Sequence, residues 1–322
     1  MASIVKCIVA AFALGMTIVG AAADEFPSRA VRIITPMAAG GLSDTAVRLI
    51  SEALGRQLGQ TVVVENRSGA GGVIGTEAAA RAQPDGYTLL VSMASTFSII
   101  PAVKKASYDP MKDFVALGQI WYAPQALVVR SQSSLKTVAD LVAYAKANPG
   151  KLSFASAGNG TTTHLSIVLL SREAGIQVTH IPYRSGGQTV VDVLGGQVDA
   201  VFSDISALVP HIHSGALTAL AVTAPQRSPL LPNVPTMAES GLPGVRTINW
   251  FGLHAPARTP PAVLERLKAA VRAAQLDPAY QASLAKNANT TGTVGAERFA
   301  EMVQEEAQRL APVVRSSGIK FD

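Results

Sequence analysis

The sequence predicts an α/β protein made of two blocks in which β-strands and α-helices alternate. Its 322 residues, 48% of them hydrophobic, are enough for about two domains with full cores, and they exclude an intrinsically disordered chain. Short apolar runs are followed by segments whose apolar residues recur at helical spacing. Because parallel strands need a crossover connection, this order predicts parallel sheets with helices on their faces.

The first block has the order strand, helix, strand, helix, strand. Helices are expected over residues 43–58, where Ser43 or Asp44 can cap the start, and over residues 71–82. The strands are the β-rich runs Val31–Thr35, Thr61–Glu65 and Tyr87–Ser92.

The second block repeats the alternation. Thr137 and Asp140 form a predicted capping box for a helix that ends near Pro149. Residues 225–247, rich in Pro and Gly, are expected to form a long ordered loop. The predicted strands are Leu127–Arg130, Leu152–Ala155, Val178–Ile181, Val198–Ser203 and Leu217–Thr223.

The C-terminal segment contains two predicted helices, over residues 260–275 and 296–316. A segment of about 70 residues with so few strands lacks a sheet of its own, so we expect it to pack back on the first block. The result is a discontinuous first domain, residues 24–124 and 250–322, and an inserted second domain, residues 125–249. Hinges are expected near residues 122–127 and 220–252.

Residues 1–23 have the pattern of a secretory signal peptide. Lys6 precedes an uncharged apolar run, and Ala21 and Ala23 provide the small residues of a cleavage site. We therefore expect export and cleavage after Ala23. The single cysteine of the chain, Cys7, lies in this segment, so thiol chemistry is excluded from the mature protein.

The formal net charge of +5 raises the question of nucleic-acid binding. No run of basic residues is longer than Lys104–Lys105, and aromatic residues are only 5% of the chain. Scattered positive charge without interleaved aromatic residues is typical of a solvated surface, so we expect no nucleic-acid partner.

The first candidate site lies between the first strand and the first helix. Ligands of α/β sheets collect beyond the carboxyl ends of the strands. Small residues there let a ligand approach the backbone, and the helix N-terminus offers N–H groups that suit an anion. The candidate stretch is Pro36–Asp44.

A second loop of the same kind leads into a helix of the second block. Two such helix N-termini, one from each block, would hold a carboxylate across a cleft with little need for a salt bridge. The candidate stretch is Ala155–His164. For His164, packing or hydrogen bonding against the neighbouring loop is favoured over a ligand contact. Asp204, just past a strand, is the acidic residue of this block best placed to face a cleft.

Catalytic and cofactor motifs are weak throughout the chain. The glycines of Gly69–Gly75 do not have the dinucleotide spacing, and no P-loop or G-x-S-x-G elbow is present. His211 and His213 lack the companion residues of a metal site, so we expect no metal and no cofactor. The competing class is an exported serine-type hydrolase that uses Ser156 with His164 or His180, which requires a nucleophile–base contact and an orienting third group.

The chain resembles the Bug/TctC family, the periplasmic substrate-binding receptors of tripartite tricarboxylate transporters. The resemblance runs in family order across nearly the whole mature chain. The phrases that carry it are PMAAGGLSD (36–44), VENRSGAGGVIG (64–75), PDGYTLL (84–90), FASAGNGTTTH (154–164), HIPYRSGG (180–187), LGGQVDAVF (194–202), LTALAVT (217–223), VPTMAESG (234–241) and WFGLHAPARTP (250–260).

The resemblance implies a periplasmic, monomeric Venus-flytrap receptor of type II-like architecture, with a central sheet flanked by helices in each domain. Such a receptor closes over a small organic carboxylate and delivers it to the membrane permease subunits of the transporter. A periplasmic sensor partner is the alternative. In the two candidate stretches, the resemblance implies that the ligand contacts Ala39, Gly40, Gly41, Ser43, Asp44, Ser156, Gly158, Asn159 and Thr161. It adds Ser92, Ala94, Ser95, Tyr183, Arg184, Ser185 and Gly186 to the candidate cleft.

This chain departs from the family pattern at several positions of these loops. Met37 and Leu42 make the expected wall more apolar than is common. Arg184 is placed either to reach a second carboxylate of the ligand or to face solvent. The identity of the acid therefore stays open between di- and tricarboxylates, amino acids and aromatic acids.

Overall fold

The computed structural model describes residues 26–40, 42–103, 106–286 and 289–316, and the side chains of Leu42, Ser43 and Val103 are not described. The predicted signal peptide and its cleavage site at Ala23 lie outside the described residues, as does Gly41. None of the helices in the described part of the chain has the length and apolar character that crossing a bilayer requires.

Strands and helices alternate as the sequence predicts. The ten strands of the described residues are β1 (Val31–Thr35), β2 (Val62–Asn66), β3 (Thr88–Met93), β4 (Phe114–Arg130), β5 (Ser153–Ser156), β6 (Thr179–Pro182), β7 (Ala200–Asp204), β8 (Leu217–Val222), β9 (Ile248–Pro256) and β10 (Thr290–Thr291).

The α-helices of the described residues are α1 (Leu42–Leu58), α2 (Val73–Ala80), α3 (Ile100–Val103), α4 (Val138–Ala147), α5 (Thr162–Ala174), α6 (Gly186–Gly195), α7 (Ile205–His213), α8 (Pro261–Gln275), α9 (Pro278–Lys286) and α10 (Ala296–Ser316). A short 3-10 turn (Ala70–Gly72) precedes α2, and a π-helical turn (Ser95–Ile99) precedes α3. The predicted capping box of Thr137 and Asp140 at the start of α4 is confirmed.

The strands form one continuous path in the order β2-β1-β3-β9-β4-β7-β5-β6, and β8 and β10 also pair with β4. β1 is parallel to β2 and β3, and β5 is parallel to β6 and β7. β9 is antiparallel to both β3 and β4, and β4 is antiparallel to β7. The predicted parallel strands are therefore confirmed, with β4 and β9 as antiparallel strands between them.

The long strand β4 belongs to two sheets. From Phe114 to Pro124 it pairs with β9, and from Gln125 onward it pairs with β7. Proline has no N–H to donate to a ladder and is rare inside a central strand. Here Pro124 is the last residue that pairs with β9, so the missing donor falls where β4 changes partners.

Helices cover both faces of each sheet. In the first sheet, α1, α8 and α9 pack on one face, whereas α2 and α10 pack on the other. In the second sheet, α4 and α5 cover one face, and α6 and α7 cover the opposite face. The predicted α/β class, with central sheets flanked by helices, is therefore confirmed.

Helix α10 contacts both sheets. Phe299 and Val303, near its start, belong to the apolar cluster of the first sheet with Trp250. Leu310 and Val314, near its end, belong to the cluster of the second sheet with Phe154 and Leu165. The C-terminal helix therefore spans the region where β4 passes from one sheet to the other.

Candidate functional site

The strand directions bring the two sets of predicted loops toward each other. β1 and β3 run in the same direction as β4, because β9 is antiparallel to β3 and to β4. β5, β6 and β7 run against β4. The carboxyl ends of the parallel strands in the first sheet therefore point toward the second sheet, and those of the second sheet point back.

The register gives the distance between the two sets of strand ends. Met93, at the end of β3, pairs with Phe251, which pairs with Trp121 of β4. Asp204, at the end of β7, pairs with Gln125 of β4. Trp121 and Gln125 are four residues apart on one strand, which corresponds to about 13 Å. A small molecule fits between loops at this separation.

The first loop is held in shape by the buried carboxylate of Asp44. Its Oδ2 accepts hydrogen bonds from the backbone N–H of Gly40 and from Arg48 Nε, each at 3.0 Å. Its Oδ1 accepts one from Asn66 Nδ2 at 2.9 Å. Burial raises the pKa of Asp44, but the hydrogen bonds from Asn66, Gly40 and Arg48 outweigh this effect and lower it. Asp44 is thus ionised and engaged with its own loop.

Asn66 completes the hydrogen bonding of the first loop, and it was not predicted from the sequence. Its side chain also donates to the carbonyl oxygen of Met37 at 3.1 Å, so one amide holds both ends of the loop. Ala39 and Gly40 are exposed, and Gly40 has a φ of 84°, in the left-handed region that favours glycine. The position of an asparagine directly after a strand was the available sequence signal.

The loop after β3 presents few exposed polar groups. Ser92 is fully buried, and its Oγ donates to the carbonyl oxygen of Gly252 at 3.2 Å. Ala94 is also buried. Ser95 is half-buried and begins the π-helical turn. Of these three predicted residues, Ser95 is the one with accessible surface toward a solute.

The second loop is tied to the first turn of α5. Thr161 is the N-cap residue, and its Oγ1 accepts from the N–H of His164 and donates to the carbonyl oxygen of Gly158 at 2.8 Å. Thr163 Oγ1 accepts from the N–H of Ala157 at 3.0 Å. Gly158, at φ 126°, and the half-buried Asn159 form the loop itself. These bonds fix the loop without a charged side chain.

A stacked pair of histidines lies against this loop. The rings of His164 and His180 are parallel to within 16°, with centroids 3.8 Å apart. The N–H of Gly160 donates to His164 Nδ1 at 3.2 Å, so this nitrogen is an acceptor and the ring is neutral. Burial and the neighbouring His180 lower the pKa of His164 to about 4. The expectation that His164 hydrogen bonds to its neighbouring loop is confirmed.

Ser156 contacts His180, which is the pair that a hydrolase would require. The Oγ–Nε2 distance is 2.6 Å. However, Ser156 is fully buried, and the same Oγ accepts from the N–H of Gly158 at 3.2 Å. Among the described residues no carboxylate forms a salt bridge with any histidine, so the orienting third group of a triad is missing there. The contact positions the loop.

The Tyr183–Gly186 segment leads into α6 beside the second loop. The Tyr183 hydroxyl donates to Asp192 Oδ2 at 2.5 Å, and its N–H donates to the carbonyl oxygen of Ser156 at 2.9 Å. Arg184 and Ser185 are exposed. Ser185 is the N-cap residue but gives no side-chain cap to the helix, which begins at Gly186. The first N–H groups of α6 thus receive no side-chain cap from Ser185.

Asp204 lies where the two sheets meet. Its Oδ2 accepts from Asn249 Nδ2 at 3.3 Å, and its buried Oδ1 has no partner among the described residues. Burial raises its pKa to about 6, against the opposing effect of the hydrogen bond from Asn249. Gln125, its neighbour on β4, also has a buried amide nitrogen without a partner in the described part of the chain. Neither Gln125 nor Asn249 was predicted from the sequence as a site residue.

A match to a protein family decides between a solute-binding receptor and a hydrolase. The family model described as "Tripartite tricarboxylate transporter family receptor", TctC, matches residues 46–319. The chain belongs to this family. It is therefore a solute-binding receptor and not an enzyme, and the contact of Ser156 with His180 is a structural feature of a TctC receptor.

Individual relatives agree with this assignment. "Protein BugT" of Bordetella pertussis is 36% identical over 304 residues, which cover 93% of this chain and 92% of BugT. The solved structure of the periplasmic binding protein BugD is 35% identical, with a TM-score of 0.78, and the match covers 92% of this chain and 99% of BugD. The predicted resemblance to the Bug/TctC family is thus confirmed.

Two solved TctC-like structures contain named ligands. A protein of R. palustris with adipate is 31% identical, with a TM-score of 0.80, over 91% of this chain and 99% of that protein. MatC from Rhodopseudomonas palustris with bound malate is 33% identical, with a TM-score of 0.79, over 90% of this chain and all of that protein. Adipate and malate are both small dicarboxylates.

Proposed function

We propose that this receptor is exported to the periplasm, captures a small organic carboxylate between its two sheets and delivers it to the membrane subunits of a tripartite tricarboxylate transporter. The observation that carries the proposal is the opposed direction of the parallel strands along β4. It directs every loop of the predicted cleft toward one space, which is where ligands of α/β sheets bind.

Helix N-termini supply the chemistry for a carboxylate in this space. α1, α5 and α6 all begin after strands whose carboxyl ends point there. The first N–H groups of a helix have no intrahelical partner and carry partial positive charge. A carboxylate held by such N–H groups and by the hydroxyl of Ser95 needs no salt bridge.

The ligands of related proteins support a small carboxylate as the solute. Proteins of the same fold, 31% and 33% identical to this chain, are described with adipate and malate. Both ligands carry two carboxylates, which matches two sets of helix N-termini on opposite sides of a cleft. We therefore expect a dicarboxylate of about four to six carbons rather than an amine or a neutral sugar.

The domain arrangement belongs to the same proposal. The first domain comprises residues 24–124 and 250–322, and the second comprises residues 125–249, with hinges near 122–127 and 220–252. The change of partner at Pro124 and Gln125 supports the first hinge. Closure about these segments would bury the solute, and the solute would favour closure by binding the closed state more tightly.

A matched pair of variants at the start of α6 tests the carboxylate site. Gly186→Pro removes one N–H donor, and the extended φ of −155° and ψ of 156° at Ser185 are compatible with a following proline. Gly186→Ala keeps the N–H and adds the same Cβ, whose nearest neighbour, Ser203 Oγ, would be 4.0 Å away. The two variants therefore differ mainly in one hydrogen-bond donor.

Calorimetric titration of the mature protein with malate, succinate and adipate provides the measurement. At least one diacid should bind, and its dimethyl ester should not. Gly186→Pro should weaken that binding about tenfold or more, because a hydrogen bond to a charged group is worth about 1.5–3 kcal/mol, while Gly186→Ala should stay within about twofold. Equal affinities of the two variants would reject the site at α6, and equal binding of acid and ester would reject the carboxylate class.

Delivery to a transporter needs a separate experiment in cells. Once the bound acid is known, its uptake is measured in cells with and without this receptor. Loss of uptake without the receptor supports the transporter partnership. Unchanged uptake together with a lost transcriptional response to the acid would instead indicate a sensor.

A further inference from the structure

A second cavity lies beside α10, away from the predicted solute cleft. Its volume is about 690 Å³, within the range of small-molecule sites. None of the residues predicted for the cleft lines it. Its walls come from residues 224–229 and Arg246 on one side, and from Thr290, Val294 and α10 on the other. An occupant would therefore contact both the loop after β8 and the C-terminal helix.

One wall of this cavity is aromatic and aliphatic. Trp250 and Phe299 pack edge to face, with ring centroids 5.3 Å apart. Such a surface binds the apolar body of an organic molecule. Trp250 and Phe299 are themselves buried, and the apolar side chains of the lining that keep accessible surface include Tyr122, Pro124, Ile248 and Met302.

Four arginines also line the cavity and give it positive charge. Two of them are ion-paired. Arg227 is 2.9 Å from Glu239, and Arg298 is 2.9 Å from Glu305. Arg246 and Arg309 have no carboxylate oxygen within 4.0 Å in the part of the chain that the structure describes. Two guanidinium groups at this cavity are thus available to an anion.

Arg246 and Arg309 lie next to each other. Arg309 Nη2 donates to the carbonyl oxygen of Arg246 at 3.1 Å, which places its guanidinium beside that residue. Partial burial lowers the pKa of Arg309, the nearby Glu306 opposes this effect, and the positive charge of Arg246 adds to it. Two like charges held together in this way are relieved by a bound anion.

The two acidic residues that line the cavity, Glu305 and Glu306, do not fully compensate its four arginines. Glu306 Oε2 accepts hydrogen bonds from Trp250 Nε1 at 2.5 Å and from Ser98 Oγ at 2.9 Å. Burial raises the pKa of Glu306, which those two hydrogen bonds partly offset. Its carboxylate is therefore engaged by neutral donors, and the nearby Arg309 and Arg246 also lower its pKa, so Glu306 offsets part of their positive charge.

We infer that this cavity is a second binding site, which takes an organic anion with an aromatic or branched apolar body and one carboxylate or sulfonate head. The apolar body would pack against the half-buried Tyr122, Ile248 and Met302, and the head would lie between Arg246 and Arg309. Guanidinium groups favour planar anions because they donate two parallel hydrogen bonds. None of the residues proposed for the carboxylate cleft lines this site.

Calorimetric titration of the mature protein with 2-naphthoate tests the inference, with uncharged 2-naphthylmethanol as the matched ligand. Naphthoate should bind with one molecule per chain at this site, and naphthylmethanol should bind at least tenfold more weakly. Arg246→Gln and Arg309→Gln should each weaken naphthoate binding about tenfold, because each removes a charge-assisted hydrogen bond. Arg309→Lys, which keeps the charge but not the two parallel donors, should bind naphthoate more tightly than Arg309→Gln and more weakly than the unchanged chain.

Two further variants locate the probe. Arg315→Gln removes an exposed charge from the last turn of α10, outside the cavity, and should leave naphthoate binding unchanged. Gly186→Pro should also leave it unchanged, because α6 does not line the cavity. Absence of naphthoate binding, full binding by both glutamine variants, or loss of binding in Gly186→Pro alone would each overturn the inference. Thermal unfolding of every variant confirms that it is folded.

Discussion

The contact between α2 and the first cleft loop leads to a specific prediction for Gly75. A Cβ at this position would lie 2.7 Å from the carbonyl oxygen of Arg67 and 2.9 Å from the Cα of Pro36. Both neighbours are backbone atoms, so they cannot move aside as the end of a side chain can. Gly75→Ala must therefore displace the segment that begins at Pro36, which leads directly into Ala39 and Gly40.

The expected magnitude follows from two opposing effects. Overpacking of this kind costs about 1–3 kcal/mol. Alanine in place of glycine inside a helix stabilises the folded state by about 0.5–1 kcal/mol. We expect Gly75→Ala to lower the free energy of unfolding by about 1–2 kcal/mol. It should also weaken binding of the cleft solute, because Pro36 shifts.

A second glycine provides the matched control. Gly195, in α6, has Gln197 Cγ as its nearest neighbour, 4.0 Å from an added Cβ. Gly195→Ala should therefore leave stability unchanged or raise it by up to about 1 kcal/mol. Urea unfolding of both variants is the assay, with the slope m compared to confirm the same transition. If Gly75→Ala unfolds at the same urea concentration as the unchanged chain or above it, the close approach of α2 and Pro36 is refuted.

Three other substitutions give stability predictions that urea unfolding can check. Asp44→Ala should cost about 2 kcal/mol at pH 7, since the Gly40, Arg48 and Asn66 donors lose a charged acceptor. Because the pKa of Asp44 is lowered from 3.8 in the folded state, this difference is present above pH 3.8 and shrinks as the pH falls through the lowered value. The pKa of His164 is lowered from 6.5 to about 4, so this ring alone should account for about 3 kcal/mol of the stability that the unchanged chain loses as the pH falls from 6.5 to 4, and His164→Gln should show a loss smaller by that amount. Thr137→Ala should cost about 1 kcal/mol at any pH between 6 and 8, since it removes the N-cap acceptor of the Asp140 N–H in α4.

Local sequence signals predicted the elements whose patterns are regular. The strands β1 and β3 and the helix α10 follow from apolar runs and helical spacing, and the α4 capping box follows from Thr137 and Asp140. Helix α1 begins at Leu42, before the residues predicted to cap it. Boundaries of this kind depend on contacts of the loop, here the hydrogen bond of the Gly40 N–H to Asp44, which spacing alone does not reveal.

The elements that the sequence did not predict depend on long-range pairing. The predicted strand began at Leu127, whereas β4 begins at Phe114 and includes Gly118 and Pro124. Glycine and proline indicate a break, but here Pro124 lies at the change of partner from β9 to β7. The helix α9, Pro278–Lys286, and the short strand β10 were not predicted either, and β10 exists through its pairing with β4.

The candidate site was also predicted only in part. Sequence position predicted the loops, because it identifies which residues follow strands and precede helices. It did not predict the roles within them. Asp44, Ser92 and Ser156 all direct polar atoms to neighbouring protein groups, and this depends on partners such as Asn66 and His180 that are remote along the chain.

The most direct test of the proposed carboxylate cleft is a crystal structure of the mature receptor with the diacid that it binds most tightly. We predict one carboxylate within hydrogen-bond distance of the first N–H groups of α6 and the other near the Pro36–Gly40 loop, with the two sheets closed over the solute. A diacid bound elsewhere, or one that contacts a single sheet without closure, would contradict the account.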